Sequence, residues 1–219
     1  MERGEEALGR LLSHYEGRWR QKSRDPFRSL VRTILSQNTS YKNEETAYKR
    51  LEASIGITPS NLANVSVEKI ADAIRPAGMF NKRGRTLKAL AEAIIEQYGG
   101  EIGPVLEKPY TDAREELMGL PGVGPKTADV LLMFDAGKEV IPVDRHIFRI
   151  TKRLRLMPEK ATYDDVRHAL QKAAPPGRHI DVHVLLIRFG RELCRALKPR
   201  CHECFLLDIC PYPKENKAS

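Results

Sequence analysis

All four cysteines of this 219-residue chain fall within its last 26 positions, as Cys194, Cys201, Cys204 and Cys210 in the spacing C-x6-C-x2-C-x5-C. Thiols this close can form two disulfides, hold zinc as four thiolates, or ligate an iron–sulfur cluster. Zinc sites commonly pair two C-x2-C knuckles, and only Cys201 and Cys204 form one here. Spacing alone leaves zinc and cluster both open.

A second constellation lies upstream, in "LPGVGPKTADVLL" (120–132). Gly122 and Gly124 flank Val123 in a tight turn, so the backbone can come close to a partner with few side chains in the way. Pro125 then starts a helix. A helix N-terminus preceded by glycine amides suits an anion, and DNA phosphate is the natural one for a basic protein. Lys126 follows in the first turn, beside the positive end of the helix dipole, which favours the neutral amine over the ammonium. A neutral amine attacks carbonyl-like carbons, among them a sugar C1′ from which a base is departing. Eighteen residues later, in "IPVDRHIF", Asp144 stands at the start of another helix. That is an ordinary capping position. Near an attacking lysine the same carboxylate can accept a proton or stabilise positive charge on the sugar.

Helical periodicity supplies the elements that must position these groups. Phe27, Leu30, Val31, Ile34 and Leu35 share one helix face behind Pro26, and Leu87, Leu90, Ala91, Ile94, Ile95 and Tyr98 share another ahead of Gly99 and Gly100. Shorter helices are expected around Ala47 to Leu51 and Val67 to Ile74. A further helix is expected to open at Thr111 as its cap, and one at Thr162, paired with Asp165. The segment 180–193 is apolar nearly all round and is expected to be buried between lobes. Almost nothing alternates as a strand does, so the fold class is all α.

Hydrophobic residues at 41% and charged residues at 30% mark a globular protein. No stretch approaches the roughly 20 apolar residues of a membrane span, and "MERGEEALGR" is acidic where a signal peptide needs an apolar run. The expected location is intracellular, in the cytoplasm or nucleoid, where a reducing environment argues against disulfides. The formal net charge of +8 favours a polyanionic partner. Basic residues gather in 81–88 and 144–155, which can line one groove.

Jointly, "LVRTILSQNTS", "LPGVGPKTADV", "VDRHIF" and the cysteine tail resemble the endonuclease III family of helix-hairpin-helix DNA glycosylases. The resemblance implies a two-lobed fold: a six-helix lobe of 18–138 carrying the hairpin, and a second lobe from 1–17 and 139–219. The second lobe would end in a [4Fe–4S] cluster loop at 194–210 held by the four cysteines. By position, the Schiff-base nucleophile falls on Lys126 and the catalytic aspartate on Asp144. The residues that fill the gap left by an extruded nucleotide fall on Gln37, Met79 and His146. Gly122, Val123 and Gly124 would contact DNA, and Arg195, Lys198 and Arg200 of the first cluster loop would meet phosphates.

The implied activity is removal of oxidised pyrimidines from double-stranded DNA by base flipping, followed by β-elimination at the abasic site, carried out by a monomer. Pyrimidine-dimer or mismatch glycosylases of the same superfamily, and a non-catalytic metal-stapled DNA-binding module, are the alternatives. Four letters depart from the pattern, among them Asn38 and Ser40 beside Gln37. Pro125 removes a backbone N–H from the hairpin helix, and Asp129, three residues beyond Lys126, is placed to pair with it.

Overall fold

The computed structural model describes residues 2–19 and 25–215, and every regular element among them is helical. In chain order these are α1 (Glu2–His14), α2 (Pro26–Ser36), α3 (Tyr41–Ser54), α4 (Pro59–Asn64), α5 (Val67–Ala73), α6 (Phe80–Tyr98), α7 (Gly103–Glu107), α8 (Tyr110–Met118), α9 (Pro125–Phe134), α10 (Arg145–Arg153), α11 (Tyr163–Ala173), α12 (His179–Glu192) and α13 (Tyr212–Glu215). They divide into two compact units. The described residues of Lys22–Gly137 form one, and those of Met1–Gln21 with Lys138–Ser219 form the other.

The unit of α2–α9 shows why its sequence is helical. Asp25 caps α2 by accepting from the amides of Phe27 (2.9 Å) and Arg28 (3.2 Å), with Pro26 in the first turn. Ser40, Thr58 and Ser66 cap α3, α4 and α5 in the same way. Phe27, Leu30, Val31, Ile34 and Leu35 are all buried, as are Leu87, Leu90, Ala91 and Ile94 of α6. Each large apolar side chain so removed from water contributes about 1.5–3 kcal/mol. Ile95 stays 40% exposed, so the buried face of α6 is narrower than the periodicity suggests. Both α4 and α5 pack onto α6. Gly84 makes the second approach possible, since a Cβ there would lie 3.1 Å from the Val67 carbonyl oxygen.

The helix at 110–118 corrects one expectation. It opens after Pro109, with no side-chain cap, and Thr111 lies inside it. Pro109 is itself the N-cap, its own φ fixed by the ring, and the helix starts after it with no side-chain hydrogen bond to its first amides. Asp129 corrects another. Its side chain is wholly buried on α9, where Oδ1 accepts from Arg114 Nε (3.0 Å) and Tyr110 Oη (2.8 Å), both on α8. A carboxylate without access to water needs such partners, and Lys126 points into solvent instead. The carboxylate therefore fastens α8 to α9 rather than neutralising the lysine.

In the second unit, α1 supplies Ala7, Leu8 and Leu11 to a core completed by Ile147, Ile150 and Leu154 of α10, Val166 and Leu170 of α11, and Val182, Leu185, Leu186 and Phe189 of α12. The apolar helix at 179–192 is thus the centre of this unit's own core. Thr162 and Asp165 form a full capping box at the start of α11.

Removing one partner of a buried ion pair strands the other charge. Asp129→Ala is expected to lower unfolding free energy in urea by about 3–5 kcal/mol. A loss below about 1 kcal/mol, the range of exposed pairs, would show that the carboxylate is not what locks the two helices.

Candidate functional site

The hairpin between α8 and α9 distinguishes its two glycines. Gly122 has φ +80°, and a Cβ there would lie 2.3 Å from Thr86 Cγ2 of α6, so the fold itself demands glycine. Gly124 has φ −96° and nothing within 4 Å of an added Cβ. Its bareness serves whatever approaches from outside. Val123 is turned inward, 6% exposed, and its amide donates to the Leu120 carbonyl at 3.1 Å. The first bond of α9 runs from the Ala128 amide to the Gly124 carbonyl (3.0 Å). The amides of Lys126 and Thr127 therefore stand at the open helix end, while Pro125 contributes none. The Lys126 side chain is exposed and forms no ion pair among the described residues.

Gln37 follows the last turn of α2, where its Nε2 makes long hydrogen bonds of 3.4 Å to the Gly122 carbonyl and to Thr127 Oγ1. Its side chain thus lies across the hairpin. Met79 precedes α6 in a left-handed conformation (φ +48°) and is 56% exposed. An exposed, unbranched apolar side chain on a conformation costly for any non-glycine residue is held there by its surroundings. Asn38 shares that conformation (φ +51°).

In the second unit Asp144 caps α10, and a single oxygen does the capping: Oδ1 accepts from the amides of His146 (2.8 Å) and Ile147 (2.9 Å). Oδ2 has no partner among the described residues. Capping and chemistry therefore need not compete for one atom. His146 lies against α12, where Gly190 leaves room: a Cβ on Gly190 would sit 2.9 Å from His146 Cβ. Burial holds the His146 imidazole below its ordinary pKa; Asp144 opposes this, and Arg149, Arg191 and Arg145 add to it.

The four cysteines are free and line one pocket with Ile150, Leu154, Phe189, Leu193 and Leu206. Arg149 and Arg153, one turn apart on α10, hold the loop that carries them. Arg149 donates to the Cys194 carbonyl through Nε (3.1 Å) and Nη2 (2.9 Å), and Arg153 Nη1 donates to Cys194 Sγ (3.3 Å) and the Arg195 carbonyl (2.6 Å). Burial pushes the Cys204 thiol up to about 11, and the thiols of Cys201 and Cys210 are also raised. Four thiols that line one apolar pocket suit iron, whose positive charge would hold them as thiolates in surroundings that otherwise favour the neutral form. The residues fit the cluster.

The basic stretches divide by role. In 81–88, Arg83 is buried and Lys88 donates to the carbonyls of Ala63 and Val65 (3.1 Å for the latter), which leaves Lys82 and Arg85 exposed. Charge counting included all four because it does not register burial. In 144–155, Arg149 and Arg153 are spent on the cluster loop. Arg195, Lys198 and Arg200 are exposed; Arg195 Nε reaches the carbonyls of Arg191 and Glu192, and Arg200 pairs with Glu203 at 3.4 Å. Sequence reasoning passed over Gly190 and the structural roles of Arg83, Arg149 and Arg153. Only the i, i+4 spacing of the last two signalled a shared face.

Residues 31–176 match the model of the HhH-GPD superfamily base excision DNA repair proteins, and residues 194–210 match that of the iron–sulfur binding domain of endonuclease III. The chain is 35% identical to endonuclease III of Thermotoga maritima, over 87% of this chain and 85% of the relative. It is 32% identical to endonuclease III of Escherichia coli K12, with the same coverage of both. A solved structure of a trapped endonuclease III–DNA covalent intermediate, an estranged-adenine complex, superposes with a TM-score of 0.83 at 30% identity, covering 96% of this chain and 95% of that one.

The glycines yield a paired test. Gly122→Ala forces a strained φ and a clash with Thr86, and is expected to cost about 1–3 kcal/mol in thermal or urea unfolding. Gly124→Ala is expected to stay within about 0.5 kcal/mol of the parent while weakening binding to a DNA duplex in a gel-shift titration. Equal effects on stability would contradict the distinction.

Proposed function

Because the chain belongs to the endonuclease III family, within the HhH-GPD superfamily of base-excision DNA repair proteins, we propose that Lys126 and Asp144 divide the glycosylase and lyase chemistry of that family between them. The protein is a DNA glycosylase with abasic-site lyase activity, and Cys194, Cys201, Cys204 and Cys210 hold its [4Fe–4S] cluster. When bound, the cluster supplies iron–thiolate bonds that cross-link the loop. That loop presents Arg195, Lys198 and Arg200 to phosphates.

The substrate is double-stranded DNA inside the cell, with an oxidised pyrimidine flipped out of the stack. Unstacking costs a few kcal/mol, offset when Gln37, Met79 and His146 occupy the gap. The amine of Lys126 attacks C1′, the C1′–N1 bond breaks, and the electron pair leaves with the base, which takes up a proton. Asp144 balances the positive charge that grows on the sugar. The ring opens to an imine on Lys126, loss of a C2′ proton expels the 3′ phosphate, and water releases the lysine. Amides at the hairpin, among them those of Gly124, Lys126 and Thr127, hold a backbone phosphate.

One observation supports this reading most: Lys126 is exposed and, among the described residues, unpaired in the first turn of the hairpin helix, because the one carboxylate within a turn of it is committed to Arg114 and Tyr110. Asp144, whose Oδ1 caps its helix and whose Oδ2 does not, supports the second role.

Asp144→Asn retains an oxygen for the cap and removes the charge. Single-turnover excision of thymine glycol or dihydrouracil is expected to slow by about 10²–10⁴-fold. Nicking of a preformed abasic site is expected to slow far less, since its open-chain aldehyde needs no departing base. Equal slowing of both reactions would mean that Asp144 acts only through the fold.

A further inference from the structure

A buried guanidinium with no carboxylate partner calls for a reason. Arg83, in the first turn of α6, is 5% exposed, and its partners among the described residues are all uncharged oxygens. Nη1 donates to the carbonyls of Ala77 and Gly78 (2.8 Å for the latter) and to Thr39 Oγ1 (3.0 Å); Nη2 donates to the Gln37 carbonyl. Thr39 Oγ1 closes the set by donating to the Ala77 carbonyl at 2.7 Å. Buried charges are ordinarily paired, and an apolar residue would fill such space at lower cost.

What the guanidinium accomplishes is geometric. Its acceptors lie on two loops far apart in sequence, one carrying Gln37 and the left-handed Asn38, the other ending at the left-handed Met79. A left-handed conformation is costly for a side chain such as that of Met79 and persists only where the surroundings over-determine it. The planar fork of donors fixes distance and angle between the loops as a single flexible contact does not.

We propose that Arg83 is a positioning residue for base extrusion: it clamps the loops of Gln37 and Met79 into one rigid wedge, so that both side chains enter the DNA stack together. This rests on the reading that Gln37 and Met79 fill the gap. Inserting a side chain between bases pushes back on the loop that carries it, and a loop free to yield by an ångström loses much of the rate, by a factor approaching about 10². Arg83 touches no DNA itself.

The test compares duplexes in which a dihydrouracil is fully stacked with duplexes in which it is looped out as a bulge, so that extrusion is largely accomplished beforehand. Arg83→Gln is expected to slow single-turnover excision from the stacked duplex by about 10–100-fold and from the bulge by less than about threefold, with Arg83→Lys in between. Adding Met79→Ala to Arg83→Gln is expected to cost little beyond the larger single effect, because both act on one step. If Arg83→Gln destabilises the fold too far to assay, Thr39→Val removes the cross-loop hydroxyl at nearly constant volume and is expected to show the same preference for the bulge. Equal slowing on both substrates, or full additivity with Met79→Ala, overturns the clamp. Should Gln37→Ala and Met79→Ala leave the stacked duplex unaffected, the wedge reading itself fails, and that result is separable because it does not involve Arg83.

Discussion

A carboxylate sealed from water has to be paired, and the pairing of Asp129 with Arg114 and Tyr110 sets much of what the hairpin can do. It binds α9 to α8, which fixes the direction in which the open end of α9 faces. It also removes the one acid within a helical turn of Lys126, leaving that amine exposed and without an ion pair among the described residues. A single buried contact thus joins two helices and, under the role proposed for Lys126, leaves its amine available. Gly122 adds the other constraint, since only a residue without Cβ lets the turn rest against Thr86 while Gln37 reaches across to the same turn.

The second unit follows a parallel logic along one helix. α10 begins at a carboxylate whose Oδ1 caps it and whose Oδ2 is left over, and it ends at arginines that grip the loop of the first cysteine. Gly190 lets α12 lie close beside it. A nine-residue helix therefore relates the Asp144 carboxylate to the cluster loop with little slack. The cap and the catalytic carboxylate, which look like competing interpretations of Asp144, are compatible once its two oxygens are considered separately.

Much of this was legible in the sequence because it is local. The face Phe27–Leu35, the stop at Gly99, the capping box of Thr162 and Asp165, and the cysteine spacing are each written within a turn or two of chain. The errors concern what is set by distant partners. Thr111 looked like a cap by residue type alone, whereas the helix starts one residue earlier, after Pro109, with no side-chain cap. Asp129 seemed placed for Lys126 because i, i+3 spacing says nothing of Arg114, fifteen positions away on a neighbouring helix. Arg83 and Lys88 counted toward the basic stretch 81–88 until their carbonyl acceptors showed that they are internal fasteners. Charge is visible in a sequence; burial, which decides what a charge is for, is not.

The central claim is that the Lys126 amine forms the covalent bond to the sugar, and borohydride reduction during reaction with an abasic-site duplex tests it most directly. The account predicts that the parent protein becomes irreversibly joined to the DNA, that a peptide containing Lys126 carries the adduct, and that Lys126→Ala loses trapping and strand nicking together while still binding the duplex through hairpin amides. Trapping by Lys126→Ala at the parent rate would assign the chemistry to another amine and contradict the account.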